Sequence, residues 1–254
     1  MHMATYLNAN YTPAGHFVPV FAASPDLKTQ ALTLALAKSA AKTGKTVLML
    51  DGCSGGLMKK SGIIYNKTLS DAVHDGVPLN DIKYVTSNEH FTAIPCGNAP
   101  FEDLMGAMLA LSLNYDWTFI ALPAGCTPAH VRLAAASDIS LLNFSTQRDL
   151  FMRAYWMMEA IRARAPKFDP LLLSYGPQDA AGETTEMLRE TLREFLGAPP
   201  AYAGHRPSVT SGENTQSPTF EESPVFIERL LHQLREVART DAAQKGRSLN
   251  IKIG

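Results

Sequence analysis

Phe17-Val18-Pro19-Val20-Phe21-Ala22-Ala23 and Thr46-Val47-Leu48-Met49-Leu50-Asp51 are two short apolar runs, each the length of a buried strand. Between them Leu27 to Lys42 places Leu32, Ala35, Leu36 and Ser39 at helical spacing, and Gly44 ends the pattern. Strand, helix and strand within this length predict a βαβ unit, whose two strands must run parallel.

The alternation continues outward. Phe91–Pro95, Trp117–Leu122, residues 138–144 and Leu171–Leu173 read as strands. Phe101–Leu113, Pro128–Ala136, a helix running to Arg164 and Glu183–Leu196 read as helices. Thr146-Gln147-Arg148-Asp149 has the form of a capping box opening the third of these. The expected fold class is therefore α/β: a doubly wound, mostly parallel sheet with helices on both faces.

Domain limits follow from composition. Residues 1–15 read as an N-terminal tail, 16–240 as one domain and 241–254 as a C-terminal tail. Residues 197–223, rich in Pro, Gly, Ser and Thr, read as a long irregular loop. Residues 224–239 read as a last amphipathic helix, with Phe226, Ile227, Leu230, Leu231, Leu234 and Val237 on one face.

With 254 residues, 46% of them hydrophobic, the chain can bury one full-sized core. A net charge of -1 provides no whole-molecule field for nucleic acid, so no nucleic-acid partner is expected. Three cysteines without a CxxC pair suit a reducing compartment. No stretch has the length of a spanning helix, and the expected location is the cytoplasm, with the membrane surface or cell pole as peripheral sites.

In sheets of this kind ligands bind beyond the carboxyl ends of the strands, and phosphate binds at the first βα turn. That turn is Ala22-Ala23-Ser24-Pro25-Asp26-Leu27-Lys28-Thr29. Its final Lys-Thr, followed by Thr43-Gly44-Lys45-Thr46-Val47-Leu48-Met49-Leu50-Asp51, resembles the opening of the MinD/ParA deviant Walker ATPases, in which KGGxGK[ST] leads through a helix to a GKxVLxxD strand. Tyr115 to Gly125 resembles the family's YDxxIIDxPAG. Thr68 to Val73 and Ile94 to Gly97 resemble its TLSDVL and LIPAG stretches. Phe195-Leu196-Gly197 and the closing Ser223-Pro224 helix are similar most of all to the flagellar-positioning, FlhG-like branch.

The resemblance implies a P-loop NTPase-like fold of MinD/ParA type. It also locates the departures on the chemistry. On the family's motif, Ala23 stands at the signature lysine, and Ser24, Pro25 and Leu27 stand at three glycines. Ala121 stands at the Walker B aspartate, Cys53 at the catalytic carboxylate, and Ser174 nearest the asparagine that reads adenine. Pro25 removes an N–H, and Leu27 removes the close backbone approach of glycine. Ser24, Pro25 and Asp26 suit a self-capped helix start. A carboxylate about 4 Å from a phosphate costs about 4 kcal/mol at an effective dielectric near 20, roughly three decades of affinity.

Lys28, Thr29 and Asp51 are left as a vestigial nucleotide site. The expected reading is a pseudo-ATPase with a degenerate Walker A motif and no catalytic residues. It would serve as a bacterial adaptor or scaffold that positions a cell-surface or polar machine, flagellum or pilus, through a protein partner or a homodimer. No cofactor is expected on that reading. Two alternatives stand beside it. One is a divergent ATP/Mg-binding switch ATPase using Lys28, Thr29 and Asp51. The other is a metal- or redox-dependent protein built on Cys53, Cys96 and Cys126, with His130 one turn after the last. Phe151, Met152, Tyr155, Trp156, Met157 and Met158 form a helix face read first as core packing and second as a partner groove. The last helix is read first as docked on its own domain and second as a membrane contact, because Glu228 and Glu236 dilute the charge of Arg229, Arg235 and Arg239.

Overall fold

The computed structural model describes residues 15–24, 27, 29–85, 91–137, 139–147, 151–166, 170–176, 178–197, 200–207 and 223–250. In chain order the elements are β1 (His16–Ala22), α1 (Thr29–Lys42), β2 (Val47–Asp51), α2 (Gly56–Lys60), α3 (Leu69–His74), a 3-10 turn (Leu79–Ile82), β3 (Tyr84–Val85) and β4 (Thr92–Pro95). They continue with α4 (Phe101–Ser112), β5 (Trp117–Ala121), α5 (Pro128–Ala136), β6 (Leu141–Ser145), α6 (Phe151–Arg164), β7 (Leu171–Gly176), α7 (Gln178–Leu196), β8 (Tyr202–Pro207) and α8 (Pro224–Asn250).

The strands form one sheet in the order β3-β4-β2-β5-β1-β6-β7-β8. Every pairing is parallel except that of β3 with β4. Crossover helices must then cover both faces, and the side chains sort accordingly. Phe17, Phe21, Leu48, Leu50, Ile120, Leu142, Phe144 and Leu172 point to one face, against α3 to α7. Val18, Val20, Val47, Met49, Phe119, Leu141 and Leu173 point to the other, against α1, α2 and α8. Alternate residues of each strand serve opposite cores, which is why the strands read as continuous apolar runs.

Several expectations change at their edges. α1 begins at Thr29, while Ser24 closes a separate turn in which its carbonyl accepts the Leu27 N–H at 3.3 Å. Pro25, Asp26 and Lys28 lie outside the described residues, as do Arg148 and Asp149 of the expected capping box. The stretch 197–223 is not loop throughout: β8 lies inside it and pairs with β7 from Leu172 to Gly176. Gly204 and the polar pair His205 and Arg206 hid that strand from any apolar-run criterion. The last helix does not stop at residue 239 but continues to Asn250, so most of the expected tail at 241–254 is helical. Arg, Ala, Gln and Lys after residue 238 favour a helix beyond the end of its apolar face. The short α3 was also missed as an element, although Thr68 and Asp71 form a true capping box there.

α8 lies on its own domain. Ile227, Leu230, Leu231, Leu234 and Ala238 are buried against α1 and the sheet, and Arg235 donates to Thr43 Oγ1 at 3.1 Å. Burying four large aliphatic side chains contributes on the order of 8 kcal/mol, which transfer to a membrane surface would first have to replace. Among the described residues, no helix is long and apolar enough to cross a membrane.

Candidate functional site

The turns after β1, β2 and β5 meet at the carboxyl ends of the central strands. Ala121, at the end of β5, faces Asp51 of β2 across the ladder, and its carbonyl accepts the Gly52 N–H at 3.0 Å. Gly125 N–H reaches the Ala22 carbonyl at 3.0 Å, which joins the β5 turn to the β1 turn.

At the first turn Leu27 is fully buried and packs in the same core as Phe21 and Leu122. Its carbonyl accepts Asn143 Nδ2 at 2.9 Å and Arg206 Nη1 at 3.1 Å. These donors come from β6 and β8, 116 and 179 residues further along the chain. Arg206 is only 2% exposed, and its guanidinium lies 5.3 Å from the Tyr175 ring centroid. A phosphate-binding turn presents backbone donors to an anion. At Leu27 the turn presents an acceptor, and it is held by an amide and a guanidinium.

Two of the three expected nucleotide contacts are described, and their polar atoms are engaged with the protein. Thr29 is buried, and its hydroxyl donates to the Leu122 carbonyl at 3.4 Å. Asp51 is fully buried and accepts three backbone N–H groups: Cys53 at 2.9 Å, Leu57 at 2.8 Å and Met58 at 2.9 Å. Burial raises the Asp51 carboxyl above its ordinary range, outweighing these hydrogen bonds, which act the other way. The carboxylate thus serves as the anchor of α2. Lys28 lies outside the described residues.

Among the described residues, the groups placed to meet Mg²⁺ or a triphosphate either lack a side-chain oxygen or are engaged within the protein. Ala121 has no oxygen in its side chain, Asp51 is spent on α2, and the Leu27 carbonyl is fully subscribed. Ser174 does not face an open base-binding space: it is fully buried, with its Oγ 2.7 Å from Tyr202 Oη and 2.9 Å from His205 Nδ1 of β8.

The three cysteines do follow strands that adjoin in the sheet, β2, β4 and β5. Their environments differ. Cys96 is buried, Cys53 is half-buried with its Sγ 3.6 Å from the Ala121 carbonyl, and Cys126 is exposed. Burial pushes the Cys53 thiol up to about 12 and raises those of Cys96 and Cys126, with the nearby Asp51 charge adding to the first two. None is therefore a ready thiolate. Among the described residues no group of three His, Cys, Asp or Glu side chains could hold a metal ion. His130 is packed 6.0 Å from both the Phe21 and Phe101 ring centroids, and its Nδ1–H donates to the Gly125 carbonyl at 2.9 Å.

The fold was compared with solved structures. MinD of Pyrococcus furiosus, a cell division ATPase, superposes with a TM-score of 0.61 at 14% identity, over 88% of this chain and 99% of that one. MinD in the MinC:MinD complex of Aquifex aeolicus gives 0.60 at 16% identity, over 91% and 96%. The chain has the MinD/ParA-type fold. The Mg-ADP complex of MinD from Pyrococcus horikoshii gives 0.58 at 17% identity, over 85% of each chain. No family sequence profile and no curated protein sequence matches the chain.

On this MinD/ParA-type frame one groove lies beside the first turn. A shallow groove of about 220 Å³ is lined by Ala23, Ala124, Gly125, Cys126, Arg153, Trp156 and Met157. The α6 face beside it is part core and part surface. Phe151, Met157 and Met158 are core, whereas Trp156 is 58% exposed. Sequence reasoning missed Asn143 and Arg206 at the first turn. A polar Asn inside the apolar run Leu141–Phe144 was the one local signal of them.

Proposed function

We propose that this chain is a MinD/ParA-type protein that works without hydrolysing ATP, as an adaptor whose surface is recognised by a protein partner. The observation that carries the reading is the first turn: a buried Leu27, with its carbonyl held by Asn143 and Arg206, occupies the place where phosphate binding requires open backbone donors. Ala121 and the fully engaged Asp51 support it from the metal side. The resemblance to the flagellar-positioning branch makes a polar flagellum or pilus the machine to examine first. A homodimer of this chain would be independent of nucleotide.

A second reading is favoured by the comparisons themselves. Solved proteins of this fold include an ATPase and a Mg-ADP complex, so a divergent ATP switch using Lys28 and Thr29 is the more direct extension of the fold likeness. One calorimetric experiment separates the two readings. Mg-ATP and Mg-ADP are titrated into the full chain and into Lys28→Ala. The adaptor reading expects no saturable heat at millimolar nucleotide. Micromolar binding to the wild type that vanishes in Lys28→Ala establishes the switch.

A further inference from the structure

Beyond β2, the turn, α2 and the segment after it enclose a second depression, of about 420 Å³, with Gly55, Lys59, Ile63, Ile64 and Tyr65 among its walls. All of its lining falls within residues 54–65, every one of which is described. Ile64 is 94% exposed. A lone exposed aliphatic side chain is ordinary. This one stands on a segment fixed on both sides. Before it, the Ile63 N–H donates to the Met58 carbonyl at 3.0 Å, and Ile63 packs into the core on the α1, α2 and α8 side. After it, Tyr65 lies 6.3 Å from the Tyr84 ring centroid, and the Lys67 N–H donates to Tyr84 Oη at 3.0 Å. A Cβ at Gly55 would collide with the Tyr65 hydroxyl, so that ring is seated directly on the backbone of the β2 turn. Ser54, at φ 51°, holds that turn in a conformation costly for a residue with a side chain. The charge beside the depression has one sign. Lys59 and Lys60 are both exposed, and among the described residues neither side chain makes a hydrogen bond or ion pair. Further along, Asp71 closes the cap of α3 and Asp81 pairs with Lys67.

We propose that this depression docks a segment of a partner protein that carries an apolar side chain next to acidic ones. The inference rests on the adaptor reading for there being a partner, and adds where that partner binds and by what chemistry. Its apolar side chain enters the depression against Ile63, Ile64 and Tyr65, and its carboxylates meet Lys59 and Lys60. The segment around Ile64 is already held by Met58 and Tyr84, so docking orders little of this chain. The lysines select an acidic sequence and repel a basic one. Two other occupants fit less well. A second copy related by a two-fold axis would set the same lysines against each other. A flat anionic bilayer would take up Ile64 but leave the depression beside it unfilled.

A random peptide library displayed on phage and panned against the full chain tests the docking site. The expected result is enrichment of peptides with an aliphatic or aromatic residue flanked by Asp or Glu. The most enriched peptide is then synthesised and titrated by fluorescence anisotropy into wild type, Ile64→Ser and the double variant Lys59→Glu/Lys60→Glu. A Kd below about 100 μM for wild type, weakened at least about tenfold in each variant, is expected. The altered side chains are exposed, so both variants should fold; if one does not by circular dichroism, the other decides. Absence of enrichment, enriched peptides without acidic residues, or unchanged affinity in the variants overturns the proposal. So does self-association of wild type that Ile64→Ser abolishes in sedimentation, or Ile64-dependent co-sedimentation with phosphatidylserine vesicles. Mg-ATP binding in the calorimetric titration would overturn the adaptor reading whatever the peptides do. Failure of the peptides without nucleotide binding would remove this surface and leave that reading standing.

Discussion

The turns after β1 and β2 stand on the same rim of the sheet and are closed in opposite ways. After β2 the device is local: Asp51 turns its carboxylate onto N–H groups two, six and seven residues ahead. After β1 it is remote: a backbone carbonyl is held by side chains from β6 and β8. The first arrangement is an acceptor gathering donors and the second is donors gathering round an acceptor. Local closure survives as long as its own short segment is intact. Remote closure depends on where β6 and β8 are placed relative to β1. The β1 turn is thus the one whose state reports on distant parts of the molecule.

The comparison breaks most severely at Leu27. Replacing it by glycine, the residue that a phosphate-binding turn would use, removes a fully buried side chain and frees the backbone. Leu27→Gly is expected to lose about 4 kcal/mol of stability in urea denaturation. A loss below about 1 kcal/mol would show that the turn is not part of the core.

Asp51→Asn addresses the other turn. The amide offers one acceptor oxygen where the carboxylate offers two, and its NH₂ opposes a backbone donor. A loss of about 2 kcal/mol is expected. Local closure requires that loss to appear with α2 loosened and with hydrogen exchange at residues 22–33 unchanged. Faster exchange at the first turn as well would mean that the two closures are coupled.

The finest distinction is read by pH at the third turn, after β5. His130 is almost fully buried, and burial lowers its pKa below the ordinary 6.5, although the Gly125 carbonyl and the Glu102 charge act the other way. Between the two values the unfolded chain holds the proton that the folded chain refuses. Stability is therefore full above pH 6.5 and declines as the pH falls through the lower, folded pKa. The stability of His130→Leu, measured alongside wild type from pH 8 to pH 5, should lack that component of the slope. Parallel curves would show that the His130 ring is not held neutral.

Much of this was legible beforehand. The βαβ opening, the parallel sheet and the double layer of helices follow from apolar runs alternating with helical spacing, because strands buried on both faces must be apolar throughout. Pro128–Ala136 was found residue for residue, since Thr127 caps it and Pro128 occupies its first turn. β8 was not found, because an edge strand carrying glycine, histidine and arginine follows no apolar pattern. The site divides the same way. Ser24, Pro25 and Leu27 in the first turn are visible in the letters, and so is an alanine at position 121.

By itself, then, the chain of letters determined the architecture and pointed to the first βα turn as the place to look for a site. Hydrophobic periodicity and turn residues act over a few neighbours and can be read in order. Only the tertiary structure decided how that turn is closed. The partners of Leu27 are brought to it by the stacking order of β1, β6, β7 and β8, and hydrogen bonds that span more than a hundred residues leave no periodic trace in the sequence between them.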